Sequence, residues 1–230
     1  MLSDIDFIAA VKRNVTETDI NILKEIHRDI KKKFPKTDLM GLYVMKNDLE
    51  TLHENMKTCP SFIDGVYKGL KKFEKNSIDA YQLKRYGITI KGQNIEELDY
   101  TVNWDILICN MRDNLNTYWL GWMNDCKKFA SRKYIGLYIS LGMIEWVVLG
   151  VSRLYYTFKE RDMTSKVGAG EYALRTVPQK WHKIINEAMR LRKVNKKFYY
   201  KSIFERRKDI LDYVEFIIQE SNNLFNESKY

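Results

Sequence analysis

Two aspartates one residue apart, Asp4 and Asp6 in Ser3-Asp4-Ile5-Asp6, are the first groups in this chain whose types and spacing could do chemistry. In an extended segment alternate side chains share a face, so the two carboxylates stand about 7 Å apart along one edge. Hard divalent cations that carry nucleotide phosphates are held by one or two such carboxylates, with phosphate oxygens and water completing the shell. Asp4 and Asp6 are therefore candidate Mg2+ ligands, against the competing reading of a solvated acidic N-terminus that any Asp-x-Asp invites. The apolar run Phe7-Ile8-Ala9-Ala10-Val11 that follows has the character of a buried strand, which would hold the two acids rigidly.

Composition bounds what else the chain can be. It has 230 residues, 45% of them hydrophobic, which suits one large domain or two small ones with a real core. Cys59, Cys109 and Cys126 are scattered and odd in number, a pattern that argues against a zinc site or a disulfide framework. The first residues are acidic where a signal sequence would be basic and then apolar, so a cytoplasmic location is expected. The run Tyr134–Val151 approaches the length of a membrane span, but Glu145 lies inside it, and a helix buried at the centre of an α-helical domain is the better reading.

Lys and Arg outnumber Asp and Glu by 39 to 30, giving a net charge of +9 that favours anionic partners, ATP as readily as nucleic acid. The clearest basic stretch runs from Arg190 to Lys208 with Phe198, Tyr199, Tyr200 and Phe204 interleaved. Such a stretch can stack and neutralise RNA, or it can be a helix-loop-helix whose aromatics pack inward. No RNA-binding signature accompanies it, so the second reading is preferred.

The elements that must position these groups fall into two regions. A strand over Asp4–Val11 is followed by a helix that Thr16 caps, with Ile20, Leu23, Ile26, Ile30 and Phe34 at helical spacing and Pro35 at its end. Asp38–Val44 reads as a second strand and Lys46 opens a short helix. Beyond about Lys68 the pattern turns helical, with helices expected over 71–85, 104–125, 128–160, 166–176, 180–193 and 202–224, and a short extended piece between Gly87 and Gly92. The expected fold is α+β: a partial mixed-sheet unit over residues 1–67, then an α-helical bundle over 68–230, with a ligand cleft between them.

Several separated segments resemble one family. Ser3-Asp4-Ile5-Asp6-Phe7 and its strand resemble the second half of the polymerase-beta-type nucleotidyltransferase motif. The helical part is similar to the C-terminal domain of aminoglycoside adenylyltransferases in Tyr86–Gly92, Asp113-Asn114-Leu115, Arg153-Leu154-Tyr155-Tyr156-Thr157, Thr164-Ser165-Lys166 and Glu171-Tyr172-Ala173. The resemblance covers almost the whole chain, and the order of the pieces makes it specific. It implies transfer of AMP from Mg-ATP to a hydroxyl of an aminocyclitol antibiotic such as streptomycin or spectinomycin, and so a role in antibiotic resistance. By it, Asp4 and Asp6 hold magnesium, while Ser3, Asp79, Arg153 and Lys166 contact ATP. Glu145 and Glu171 become candidates for binding a cationic antibiotic, with a buried or capping carboxylate equally open for each.

Two departures from the family stand beside these matches. The family's Gly-Ser element, which cradles phosphate, lies upstream of the Asp-x-Asp strand, and the chain as given starts after it; the expected unit therefore lacks its first strand and helix and leaves the metal-bearing strand at an edge. In Leu39–Val44 the position of Met40 is normally a glutamate that binds metal and deprotonates the acceptor, and a thioether does neither. Asp38, two residues earlier, is a displaced surrogate expected on the same face. A second hypothesis follows: a truncated or catalytically dead homologue that binds nucleotide or a partner without turnover. A third, an RNA-binding or toxin-antitoxin module, rests on Arg175 and His182 alone, and Pro178 interrupts that spacing.

Overall fold

The computed structural model describes residues 5–51, 58–99 and 101–227. The chain divides into two compact units that meet at Leu107 and Ile108. The expected boundary at 67/68 is corrected by this: it falls inside a strand that the first unit's sheet requires.

The first unit is a mixed four-stranded sheet in the order β1 (Ile5–Val11), β2 (Leu39–Met45), β3 (Thr58–Ile63), β4 (Val66–Lys72). The β1 and β2 strands are parallel, joined through α1 (Glu17–Lys33), and the remaining pairs are antiparallel. Thr16 starts α1 with a reciprocal capping box: its hydroxyl accepts from the Asp19 amide and its own amide donates to Asp19 Oδ2 at 2.9 Å. Arg13 grips the same carboxylate with two hydrogen bonds of 2.6 and 2.8 Å, which fixes the turn out of β1. The β3–β4 hairpin, absent from the sequence reading, closes through Asp64 and Gly65, both at positive φ, the backbone twist that two-residue hairpins favour.

The sheet buries both faces. Against α1, His27 stacks on Phe62 with ring centroids 4.0 Å apart, beside Phe7 and Tyr43, and its Nε2 lies 3.0 Å from the Tyr43 hydroxyl. Burial lowers the pKa of His27. Gly41 lies under Phe7, where a Cβ would come within 2.3 Å of the Phe7 carbonyl oxygen. On the other face Leu42, Val44, Leu49, Cys59, Phe73, Ala80 and Leu98 form the core, with Ile8 against it. That core needs α2 (Lys46–Thr51) and α3 (Ile78–Tyr86). The helix expected over 71–85 thus begins only after β4 ends, at the Ser77 cap. The Gly87–Gly92 piece is a loop in which Ile88 and Ile90 are exposed.

From the first unit the chain continues through α4 (Trp104–Asn114), a π-turn at Leu115–Trp119 and α5 (Leu120–Lys127). The second unit comprises the C-terminal part of α4, the π-turn, α5 and α6 (Arg132–Ile139), α7 (Leu141–Glu160), α8 (Lys166–Thr176), α9 (His182–Arg192) and α10 (Ile203–Glu227). Its axis is α7, which packs on α8, α9 and α10 and buries Ile144, Val147, Val148, Leu149 and Val151. The Tyr134–Val151 run is two helices bent by 99° where Ser140 caps α7. Among the described residues no single helix is long and apolar enough to cross a membrane.

The basic stretch after α9 is partly internal wiring: Tyr199 and Tyr200 turn inward, while Phe198 and Phe204 are exposed, so its aromatics pack inward only in part. Buried Glu187 takes two hydrogen bonds from Arg190, at 2.9 and 2.7 Å, and one from the Tyr199 amide at 3.2 Å. Arg190 lies over Phe198, and Tyr200 is buried with its hydroxyl donating to Asp209 at 2.6 Å. Mixed sheet followed by helices makes the fold α+β.

Candidate functional site

In the first unit the parallel register sets Asp6 directly opposite Met40. Register partners in a pleated pair point to one face, so the exposed Asp6 carboxylate and the half-buried Met40 thioether are neighbours on the face that carries Ile8, Leu42 and Val44. Ser3 and Asp4 lie outside the described residues. Among the described residues no group of three or more His, Cys, Asp or Glu is placed to hold a metal ion. Between these two described residues Asp6 offers the hard oxygen donor, which fits a magnesium ion that arrives on phosphate, and Met40 offers none.

Asp38 does not continue the alternation of β2. It precedes the strand; its backbone oxygen accepts from the Ile5 amide at 2.8 Å, while its carboxylate accepts from Lys31 of α1 at 2.8 Å. Lys31 also pairs with Asp64, so one ammonium ties the start of β2, the hairpin turn and α1 together. The hydrogen bond from Lys31 holds the Asp38 carboxyl below its ordinary pKa, which makes it a weaker base than an ordinary carboxylate. Asp79, in the first turn of α3, is exposed and 3.4 Å from Lys71 of β4.

In the second unit three helices converge on one carboxylate. Glu145 of α7 has a side chain only 11% exposed; Lys166 Nζ, from the first residue of α8, is 3.3 Å from its Oε1, and Arg192 Nη1, from the last residue of α9, is 3.6 Å away. Oε1 is buried yet makes no hydrogen bond, because neither cation is aligned with it. The contact is ion pairing at a distance, and the oxygen keeps lone pairs for another donor. Ser165 caps α8 by accepting from the Gly168 amide at 3.0 Å, and Lys166 follows at once, so a cation stands at the positive end of the helix.

The other candidates are placed differently. Arg153 sits two turns beyond Glu145 on α7, about 12 Å along the axis, and is half-buried. Glu171 is an exposed partner of Lys193 at 3.2 Å, the geometry of a surface ion pair. The neighbouring Tyr172 donates to Glu160, and burial together with that carboxylate raises its pKa. Arg192 was not among the residues singled out from sequence; its one signal there was membership of the basic stretch around the end of α9. Arg175 is exposed on α8, and His182 Nε2 is 3.3 Å from the Val177 carbonyl oxygen across the Pro178 turn, a local backbone contact.

Comparison with known proteins bears on both units. The structure is similar to that of spectinomycin adenyltransferase AAD(9) from Enterococcus faecialis, solved with ATP and spectinomycin, with a TM-score of 0.64 and 15% identity over 93% of this chain and 84% of that one. At that identity the likeness shows a shared fold. No curated protein matches the chain in sequence. Residues 143–220 match the family described as aminoglycoside adenylyltransferase, C-terminal domain, and the matched stretch contains Glu145, Arg153, Lys166, Glu171 and Arg192. Over residues 143–220 the helical part of this chain is therefore similar to the aminoglycoside adenylyltransferase C-terminal domain.

Proposed function

We propose that the protein is an adenylyltransferase that moves AMP from ATP to a hydroxyl of an aminoglycoside or aminocyclitol antibiotic. The observation that carries this reading is the Glu145-Lys166-Arg192 cluster lying inside the stretch that matches the family. ATP as the donor makes the cytoplasm the expected site of action.

In the reaction the acceptor oxygen attacks the α-phosphorus as the bond to the pyrophosphate oxygen breaks, and charge accumulates on the leaving group. Lys166 and Arg192, backed by Arg153, supply fixed positive charge for the triphosphate. Asp6, with Asp4, is assigned to Mg2+, which when bound would neutralise phosphate charge. Glu145 holds the two cations in place and keeps Oε1 open to a donor, a hydroxyl or ammonium of the acceptor among them. Ser3 and Asp79 remain assigned to the nucleotide, and Glu171 to the antibiotic.

Deprotonation of the acceptor is the weak step. Met40 occupies the position beside Asp6, and Asp38 is held by Lys31 with a lowered pKa. This favours slow turnover and gives the second reading, nucleotide binding without transfer, a specific basis. Expression in a susceptible bacterium separates the two. A raised inhibitory concentration for spectinomycin or streptomycin supports transfer. Unchanged inhibition for both, with ATP still bound by the purified protein, supports binding alone.

A further inference from the structure

The second unit carries an apolar surface that none of the above uses. Phe129 is 86% exposed, Ile139 74% and Phe204 70%, and Ile135, Leu141 and Ile203 are about half exposed around them. These residues lie on α6 and its two flanking turns and on the first turn of α10, which packs against α6. The rings are continuous: Phe129 meets Tyr134 at 5.5 Å, Tyr134 meets Tyr138 at 5.4 Å, and Tyr138 meets Phe204 at 5.4 Å. A soluble surface seldom leaves so many large apolar groups together unless something covers them.

The charge around this patch is mainly positive, although Lys127 pairs with Glu215 at 3.3 Å and Glu205 follows Phe204 on α10. Residues 127–141 contain Lys127, Lys128, Arg132 and Lys133 and no acid. Lys128 and Lys133 share the single carboxylate of Asp125, at 2.7 and 3.0 Å, so the pair keeps a net positive charge. Arg207 adds another cation beneath the rings, donating to the Cys126 carbonyl at 2.8 Å and lying 4.3 Å from the centre of Tyr134. Exposed Phe, Ile and Leu rimmed by Lys and Arg is the chemistry of a segment that lies in the headgroup region of an anionic bilayer.

We infer that the outer face of α6, with the start of α10, docks this protein on an anionic lipid surface. A second copy of the chain is a poor occupant, because two such rims would repel. RNA is a poor one as well: Arg207 already covers Tyr134, and the exposed aliphatic side chains would be left idle. The segment lies on the membrane and does not span it, since α6 and α7 are bent by 99° and α7 is spent on the core of its own unit.

The test is co-sedimentation of the full chain with mixed phosphatidylcholine and phosphatidylserine vesicles, beside vesicles of phosphatidylcholine alone. The parent binds the mixed vesicles, loses binding as salt is raised, and stays in solution with phosphatidylcholine. Phe129→Ser with Ile139→Ser lowers binding at least about tenfold through lost apolar burial. Arg132→Gln with Lys133→Gln lowers it roughly twenty-five-fold, at about fivefold per cation. All four side chains are at or near the surface, so circular dichroism of each variant matches the parent. Three results overturn the inference: a parent that ignores the mixed vesicles, variants that sediment like the parent, or a patch whose loss abolishes binding of a single-stranded RNA oligonucleotide or concentration-dependent dimerisation instead.

Discussion

Replacing Glu145 by Gln separates two roles for this carboxylate, holding cations or holding an antibiotic. Its Oε1 lies 3.3 Å from Lys166 and 3.6 Å from Arg192. At an effective dielectric of about 20 each attraction is on the order of 5 kcal/mol before desolvation. Desolvation of three charged groups returns most of that, and the pairs lack hydrogen-bond alignment. Side-chain exposures of 11%, 23% and 20% leave modest solvent screening, so the net loss on substitution is about 2 kcal/mol. Tryptophan fluorescence in urea reads it, because Trp119, Trp122, Trp146 and Trp181 lie in the second unit and only Trp104 lies in the first. With the carboxylate gone the two cations are uncompensated, so ATP binding tightens by roughly fivefold, on the order of 1 kcal/mol. Calorimetry measures that change. Unaltered stability together with unaltered ATP affinity would refute the reasoning and return Glu145 to a purely acceptor-binding role.

Three further outcomes are expected. Met40→Glu restores a carboxylate opposite Asp6 and raises AMP transfer at least about tenfold, short of the roughly hundredfold or more of a well-placed general base because the geometry is imperfect, as read by initial rates with a saturating acceptor. Val194 has φ of 53°, costly for a β-branched residue, at the turn where the Asn195 amide donates to Arg190 O and the Val194 amide to Leu191 O; Val194→Gly stabilises the second unit by about 0.5 to 1 kcal/mol after the greater entropy of an unfolded glycine is counted, seen as a shifted urea midpoint. Burial lowers the folded-state pKa of His27, so the unfolded chain takes up a proton that the folded one does not as pH falls below about 6.5. Stability of the first unit is then full above that pH and declines below it, by at most about 1.4 kcal/mol per pH unit from this group, and hydrogen exchange of α1 amides in parent and His27→Phe proteins follows the loss.

Elements with local punctuation were legible in the chain. Thr16 and the helical spacing after it announced α1, a helix over 166–176 matches α8, and the strand read over Asp38–Val44 matches β2. The β3–β4 hairpin was missed although Asp64-Gly65 is a hairpin signal, because Pro60 sits inside β3 and lysines interrupt β4; a register irregularity between Pro60 and Phe62 is what lets the proline stay in an inner strand. That omission also moved the expected domain boundary. On α1 the spacing pointed to Ile26 and Phe34, yet both are about half exposed and His27 is the buried residue, since an imidazole that reaches the Tyr43 hydroxyl can stack flat on Phe62. Met40 was marked in the sequence only by the family resemblance, and its place opposite Asp6 comes from the strand register. The Glu145 cluster was not legible, because its members come from three helices and only tertiary packing brings Arg192 of α9 beside them.

The central claim is transfer of AMP. Mass spectrometry of spectinomycin and streptomycin after incubation with the purified protein, ATP and Mg2+ tests it most directly. The account predicts slow accumulation of a mono-AMP adduct of at least one drug, absent without Mg2+ and lost in Asp6→Asn and Lys166→Ala proteins that remain folded. No adduct on either drug from the parent or from the Met40→Glu protein, or an adduct that forms equally well in Asp6→Asn, would contradict it.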